Sequence, residues 1–246
     1  MPVHSSHHPT RTLALVLTTA LLAANAAPRA QAPSPTAPHV PTIDELVELG
    51  PVGAATLSPD GRWVAYEETS TDWERDVFVT QLFVADTKGG TVTQLTRGKE
   101  SAGDIEWSPD SRWITFLRTV DGKGQIHAIR PDGGEALVIS KQDESVLNHE
   151  WTPDGSTIVF AAAEADDAAA KARKDYKYAQ LWTLPVDEAL QAPAKGRQRT
   201  RGTERHVGAF DVAPDGKRVA FHAARTPDLV DTGSADVSSS ISAPMP

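Results

Sequence analysis

The stretch LSPDGRWVAY at Leu57–Tyr66 decides the fold, because the chain carries four copies of it. Pro59 fixes φ near the value that the second position of a type I turn requires, and Gly61 closes the turn. The residues after the turn alternate in polarity with the period of a β-strand, so Val64 and Tyr66 share one face. We therefore predict a tight turn that leads into a strand with one buried face.

The same core returns three times, as WSPDSRWITF, WTPDGSTIVF and VAPDGKRVAF. These copies lie at Trp107–Phe116, Trp151–Phe160 and Val212–Phe221. In every copy, the two side chains that correspond to Val64 and Tyr66 are large and apolar. The repeats therefore predict one supersecondary unit, built four times, whose apolar faces stack on one another.

Each core is followed by a second pattern that predicts a hairpin. Gln81–Ala85 leads through the turn at Gly89–Gly90 to Val92–Thr96, and the glycines supply the positive φ of a tight turn. The second and third copies open in the same way, at Gln125–Ile129 and Gln180–Leu184. Two hairpins in about 45 residues make four antiparallel strands, which is the unit of a propeller blade.

We predict an all-β fold, an incomplete β-propeller of four-stranded antiparallel blades with three blades plus part of a fourth. The partial propeller is expected over residues 51–237. The serine-rich residues 238–246 show little pattern and are predicted as a disordered tail. The third repeat is lengthened by Ala165–Tyr178, an alanine- and charge-rich insert that the sequence leaves open as an exposed helix or a flexible loop.

Residues 1–32 have the features of a signal peptide. Arg11 supplies the positive charge, Leu13–Ala23 is an apolar run, and small residues at Ala24–Ala26 and Ala30–Ala32 offer two cleavage sites. The apolar run is shorter than the roughly 20 residues that a membrane span needs. The prediction is a periplasmic or secreted protein without membrane contact after signal removal, with a retained N-terminal anchor as the alternative.

Residues 33–50 are predicted to connect this signal to the propeller. Pro33–Pro41 is proline-rich and is expected to be an extended linker. Thr42 and Glu45 form a capping-box pattern before the apolar residues of a short helix, and Gly50 lies where the helix should end.

The overall charge argues against a nucleic-acid partner. The chain has 33 acidic and 24 basic residues and a formal net charge of -9, which repels a phosphate backbone. It also has no cysteine, so neither a disulfide framework nor a thiolate metal site can form. Stability must come from packing and hydrogen bonding.

The repeated core S-P-D-G-R-x-[VI]-[AT]-[FY] resembles the repeats of TolB-like propellers and of the N-terminal propeller of the prolyl oligopeptidase family. Three further segments resemble the bacterial dipeptidyl- and acylaminoacyl-peptidase branch of that family. They are the helix at Ile43–Leu49, the charged connection Thr71–Asp76, and His206–Phe210 before the fourth core. The resemblance covers about residues 42–237.

This resemblance implies an exported serine exo- or oligopeptidase, of which the chain is the N-terminal, substrate-gating portion. Peptides would be the partners of the full-length enzyme, and a C-terminal α/β-hydrolase domain would carry a Ser-Asp-His triad. The sequence has no G-x-S-x-G nucleophile motif, so the chain alone is predicted to be inactive. The alternative is a TolB-like periplasmic propeller that serves as a protein-interaction module.

No catalytic, cofactor-binding or metal-binding residue is predicted. His149, His206 and His222 fall in different repeats, which favours structural roles over general-base catalysis. Glu67 and Glu68 resemble the paired glutamates with which some dipeptidyl peptidases hold a substrate amine, but strand alternation sends neighbouring side chains to opposite faces. The aspartates of the four turns are expected to cap those turns rather than bind a cation.

Overall fold

The structure is a computed structural model that describes residues 50–163, 177–202, 206–225 and, for the backbone, 236–242. The predicted signal peptide, linker and short helix, and most of the predicted insert, lie outside the described residues. Described residues 52–242 form four antiparallel sheets that follow one another along the chain.

Each sheet is one blade whose strands hydrogen-bond in sequence order. Blade 1 contains β1 (Val52–Leu57), β2 (Trp63–Asp72), β3 (Val77–Asp86) and β4 (Val92–Gln94). Blade 2 contains β5 (Ala102–Trp107), β6 (Ile114–Val120), β7 (Lys123–Ile129) and β8 (Leu137–Val138). Blade 3 contains β9 (Val146–Trp151), β10 (Thr157–Ala163), β11 (Ala179–Pro185) and β12 (Arg197–Gln198), with the short helix α1 (Val186–Ala189) after β11. Blade 4 contains β13 (His206–Val212), β14 (Arg218–Ala224) and β15 (Asp236–Ser242).

This architecture confirms the predicted fold class, three complete blades and part of a fourth, but it corrects the predicted tail. Residues 238–242 belong to β15, which pairs with β14 from Arg218↔Ser242 to Ala223↔Asp236. A serine-rich segment lacks the alternation that marks a strand in sequence, yet an open strand edge needs only its backbone N–H and C=O groups. Residues 243–246 lie outside the described part of the chain.

The repeated turn forms as the sequence predicts. Ser58 donates from Oγ to Asp60 Oδ1 at 2.6 Å, and Ser58 Oγ in turn accepts the backbone N–H of Trp63 at 2.9 Å. Gly61 closes the turn with a φ of 72°. In blade 2 Ser111 takes this place and adopts a φ of 60°, a left-handed conformation that glycine enters at less cost.

Neighbouring blades pack face to face and bury the apolar side chains of the repeat. We call the face toward the preceding blade the leading face and the face toward the following blade the trailing face. Phe116, on the leading face of blade 2, is fully buried in a cluster with Ala65 and Leu82 from the trailing face of blade 1. Phe160 takes the same position between blades 3 and 2, and Phe221 between blades 4 and 3.

A buried glutamine fixes the outer strand of each complete blade. Gln125 accepts a hydrogen bond from Ser140 Oγ at 2.7 Å, and that hydroxyl oxygen accepts the N–H of Ile126 at 2.8 Å. The equivalent pairs are Gln81 with Thr96 at 2.8 Å and Gln180 with Thr200 at 2.6 Å. The outermost strands have only two or three residues, so these side-chain bonds supplement a short ladder.

Candidate functional site

The innermost strand of each blade carries an irregularity that redirects its side chains. Breaks in the pairing register occur in all four blades. They fall between Val52 and Ala55, between Gly103 and Glu106, opposite Ala161 and Ala162, and between Val207 and Phe210. Such bulges leave residues unpaired and aim their side chains away from the ladder.

Carboxylates of β2 and of two inner strands join each blade to the next. Glu67 Oε1 accepts the backbone N–H of Asp104 at 3.1 Å, across the interface of blades 1 and 2. Asp104 Oδ2 accepts the N–H of His149 at 3.2 Å, and Glu150 Oε2 accepts the N–H of Val212 at 3.0 Å. Each of the three blade interfaces therefore has a charge-assisted hydrogen bond to an inner strand.

The interface of blades 2 and 3 also contains a chain of polar side chains. His149 is buried, with Nδ1 at 2.8 Å from Asp104 Oδ2 and Nε2 at 2.9 Å from Thr115 Oγ1. Trp151 donates from Nε1 to the same Thr115 oxygen at 2.8 Å. Because a carboxylate only accepts, Nδ1 carries a proton and donates to Asp104.

This chain has the order carboxylate, imidazole, hydroxyl that a hydrolytic triad also has, but it lacks an exposed nucleophile. Thr115 is fully buried, and its oxygen already accepts from Trp151. A substrate carbonyl could not reach this hydroxyl, whereas a triad nucleophile must face a substrate. The geometry assigns His149 the task of connecting two blades.

Two glutamates lie beside this chain in a partly dehydrated environment. Burial raises the pKa of Glu106 to about 7, and the negative charges of Asp104 and Glu150 contribute. Burial also raises the pKa of Glu150, with the negative charge of Asp211 adding to it, although the hydrogen bond from Val212 opposes that shift. Glu106 is therefore a group that can take up a proton near neutral pH.

The turn aspartates cap their turns, as the sequence predicts. Asp110 Oδ1 accepts from Ser108 Oγ at 2.6 Å and from the backbone N–H of Arg112 at 3.0 Å. The pKa of Asp110 is lowered, because these hydrogen bonds and the Arg112 charge outweigh the opposing effect of burial. In blade 3, the hydroxyl of Thr152 and the N–H of Ser156 lower the pKa of Asp154.

The other residues considered from the sequence do not converge on one site. Glu67 and Glu68 are neighbours in β2, so their side chains leave opposite faces, and Glu67 turns toward blade 2. His206 accepts the N–H of Ala179 through Nδ1 at 3.0 Å, and burial lowers its pKa. His222 lies half-buried in β14.

The inner-strand carboxylates were missed by sequence reasoning, although a signal was present. The residue three places before the turn proline is acidic in three blades. It is Glu106 in blade 2, Glu150 in blade 3 and Asp211 in blade 4. Blade 1 has Thr56 there. Of these three acids, Glu150 makes a hydrogen bond to the following blade, and the recurrence of an acid at one repeat position was the available signal for it.

The described residues show no cluster of three or more histidine, cysteine, aspartate or glutamate side chains placed to hold a metal ion. A helix of the length and apolar character needed to cross a bilayer is likewise not found in residues 50–163, 177–202, 206–225 and 236–242. A cavity of about 520 Å³ between blades 2 and 3 is lined mainly by residues of the repeated turns, and Arg130 stacks there on the ring of Trp113 at 4.0 Å.

Three curated proteins match parts of this sequence, and two of them are named as peptidases. The uncharacterized peptidase YuxL of Bacillus subtilis is 29% identical over 96 residues, which are 39% of this chain and 15% of that protein. Dipeptidyl-peptidase 5 of Porphyromonas endodontalis is 23% identical over 208 residues, which are 73% of this chain and 30% of that protein. The chain thus spans less than a third of the length of either relative.

Solved structures share the fold at low sequence identity. The acylaminoacyl peptidase of Pyrococcus horikoshii superimposes with a TM-score of 0.56 and 12% identity, over 75% of this chain and 29% of that one. TolB from Acinetobacter baumannii gives a TM-score of 0.50 and 18% identity, over 70% of this chain and 38% of that one. These likenesses support the blade architecture alone.

The profile of one domain family matches residues 47–193, which include blades 1 and 2 and blade 3 as far as β11, more than half of the chain. The matched residues include the first three of the four turn-and-strand cores, at Leu57–Tyr66, Trp107–Phe116 and Trp151–Phe160. The chain belongs to the PD40 family of TolB β-propeller domains.

Proposed function

We propose that the chain is the propeller portion of an exported serine exo- or oligopeptidase, and that it controls the access of peptides to a catalytic α/β-hydrolase domain. The observation that carries the proposal is the match to dipeptidyl-peptidase 5 over 208 residues. That match covers 30% of the relative, so most of the relative's length, enough for a hydrolase domain, lies beyond it. The same holds for the peptidase YuxL, of which 15% is matched.

The blade interfaces support a gating role. A domain that selects peptides by size must keep its blades at fixed spacing while a substrate passes. The contacts of Glu67, Asp104 and Glu150 cross all three interfaces between described blades. These contacts would hold the inner strands in place.

The first experiment reads the coding sequence beyond codon 246 and assays two purified forms. We expect a continuation with a G-x-S-x-G motif, and hydrolysis of aminoacyl- and dipeptidyl-p-nitroanilides by the longer product. The 246-residue chain should leave both substrates intact. A coding region that adds only further blades and then stops would refute the peptidase assignment and favour a TolB-like protein-interaction module.

The second experiment tests export through the N-terminus of the protein made in its own cells. Cleavage by a signal peptidase would give a protein that begins after Ala26 or after Ala32. A protein that keeps residues 13–23 and sediments with membranes would instead support a retained anchor. An uncleaved protein in the cytoplasm would contradict export.

A further inference from the structure

The interface of blades 2 and 3 has a second cavity, at the end of the blades opposite to the repeated turns. Its volume is about 410 Å³. Blade 2 contributes Gln142 and Asp143, which follow β8, and blade 3 contributes Lys195, Arg201 and the buried Trp182. A cavity of this size, lined by both polar and apolar side chains, is typical of a binding site for a small ligand.

Gln142 is the unusual residue of this cavity. It is only 6% exposed, yet its side-chain oxygen Oε1 is buried without a hydrogen-bond partner among the described residues. A buried amide oxygen of this kind destabilises the folded protein, because it loses the hydrogen bonds that it makes with water in the unfolded chain. Since the amide lines a cavity, a bound ligand can supply the hydrogen bonds that the protein does not.

The other blades show that this position of the repeat needs no side chain. Blade 1 has Gly98 and blade 3 has Gly202 where blade 2 has Gln142. In all three blades the backbone C=O at this position accepts a hydrogen bond from the buried glutamine that fixes the outer strand. Glycine is sufficient for that contact, so the side chain of Gln142 is an addition specific to the interface of blades 2 and 3.

The chain itself shows which partner a glutamine amide takes. Gln125 Oε1 accepts the backbone N–H of Gln142 at 2.9 Å, and Gln125 Nε2 donates to the backbone C=O of Gln142 at 3.1 Å. One amide thus binds both main-chain groups of one residue, which point to the same side of an extended chain. The terminal torsion of a glutamine is broad, so the amide of Gln142 can turn its own oxygen toward the cavity and bind an extended peptide in the same way.

The charged residues of the cavity favour an anion. Asp143 forms an ion pair with Lys195, so these two charges cancel. Arg201 lines the cavity, is exposed, and has no ion-pair partner among the described residues. One positive charge therefore remains, on a protein whose formal net charge is -9. A guanidinium group binds a carboxylate through two parallel hydrogen bonds.

We propose that this cavity binds the C-terminal end of a short peptide. Arg201 binds the terminal carboxylate, and the amide of Gln142 binds the N–H and C=O of one residue of the peptide. Ala163 and Trp182 also line the cavity and receive an apolar side chain. Both blades belong to this chain, so binding requires neither a hydrolase domain nor peptidase activity. A failure of the proposed function would leave this site intact.

Equilibrium dialysis of the purified chain against the tripeptide Ala-Ala-Leu tests the site directly. We expect saturable binding by the wild type. The C-terminal amide of the same tripeptide lacks the carboxylate, and sodium acetate lacks the peptide groups, so each should bind about ten-fold more weakly or worse. Tripeptide that does not bind saturably would overturn the proposal. Acetate or the amidated tripeptide binding as tightly as Ala-Ala-Leu would also overturn it.

Two substitutions with matched controls locate the binding. Gln142→Met keeps the length of the side chain but removes its hydrogen-bonding groups, and Arg201→Gln removes the positive charge. Each should weaken binding of Ala-Ala-Leu by about ten-fold or more. Arg97→Gln is the control for Arg201, because Arg97 is exposed at the same repeat position of blade 1 and outside the cavity. Gln191→Met, at an exposed glutamine outside the cavity, is the control for Gln142. Both controls should bind as the wild type does, and wild-type affinity in Gln142→Met or Arg201→Gln would refute the proposed contacts.

Urea denaturation distinguishes a binding role of Gln142 from a structural one. We expect Gln142→Met to keep or raise the midpoint of unfolding, because the amide oxygen that it removes has no partner in the described structure. Ala-Ala-Leu should raise the midpoint of the wild type and leave that of Gln142→Met unchanged. A lower midpoint for Gln142→Met would contradict the role proposed for Gln142. Arg201→Gln changes an exposed residue, so its binding result decides the carboxylate contact independently of the stability of Gln142→Met.

Discussion

Blades 1 and 3 present the same repeat to very different surroundings on their leading faces. In blade 3, Phe160 is fully buried and stacks on Trp182 with ring centroids 6.4 Å apart. In blade 1, Tyr66 stacks on Phe83 with centroids 5.6 Å apart, but both rings are half-exposed. The stacked pair therefore forms with or without a neighbouring blade.

The two aromatic pairs differ in how much they contribute to the stability of the folded protein. An aromatic pair on an exposed face adds a small contact energy, whereas a buried ring also gains the free energy of leaving water. Stability in such an array is therefore approximately a sum of blade terms and interface terms. The described part of the chain has three interfaces for four blades, and blade 1 makes one of them.

Truncating one aromatic residue in each blade should give the largest contrast. We expect Phe160→Ala to lower the free energy of unfolding by about 3–5 kcal/mol, because it opens a cavity in a closed cluster. Tyr66→Ala, at the same repeat position, should cost about 1 kcal/mol, since its surroundings already include water. Urea denaturation followed by tryptophan fluorescence measures both.

Equal losses for the two variants would mean that something covers the leading face of blade 1 as completely as blade 2 covers that of blade 3. The comparison between covered and uncovered faces would then fail.

The parts of the fold that follow from local sequence were predictable. The turn depends on Ser58, Pro59 and Asp60, which lie together in the chain, and its repetition gave the blade number and the capping role of the aspartates. The buried faces followed from strand alternation at positions such as Ile158 and Phe160.

The contacts between blades were not predictable in the same way. Asp104 meets His149 across 45 residues of sequence, and it does so from a bulge where its φ is 58°. The bulge interrupts the alternation between Gly103 and Glu106, so counting from the two ends of the strand gives different faces for Asp104. β15 was missed for another reason, because its backbone pairing with β14 leaves no apolar pattern in its serines.

A smaller expected change in stability tests whether the interface between blades 2 and 3 excludes water. Glu106 shares a face with Thr115, where blade 3 packs, and its pKa in the folded protein is raised to about 7. A carboxyl whose folded pKa exceeds its unfolded value binds more protons in the folded state, so the free energy of unfolding falls as the pH rises from about 4.5 to about 7.

Glu106→Gln removes this loss. We expect the variant to be more stable than the wild type by about 1–2 kcal/mol at pH 8 and nearly equal to it below pH 5, a gain that is reduced because water reaches part of the carboxylate. Glu135→Gln, an exposed glutamate of blade 2, is the control and should change little. A difference between Glu106→Gln and wild type that did not vary with pH would show that the interface admits enough water to solvate the charge.

The smallest expected change in stability tests whether the turn of blade 4 has the same backbone structure as the turns of the other blades. The comparison of the blade faces depends on this equivalence. Blade 4 has Ala213 where blades 1 to 3 have Ser58, Ser108 and Thr152. In blade 2, Ser108 Oγ donates to Asp110 and accepts the N–H of Trp113 at 2.9 Å. Asp215 of blade 4 keeps its bond from the N–H of Lys217 at 3.0 Å but has no hydroxyl partner at this position.

Ala213→Ser restores the missing hydroxyl. We expect a gain in the free energy of unfolding of about 0.5–1 kcal/mol, the net value of one added hydrogen bond in a half-buried turn. Ala209→Ser, at an exposed alanine of β13, adds the same hydroxyl without an aspartate to receive it and should give no gain. A neutral or destabilising effect of Ala213→Ser in urea denaturation would mean that the turn backbone of blade 4 differs from that of the other blades. Differences in stability between the blade faces could then not be assigned to the neighbouring blade alone.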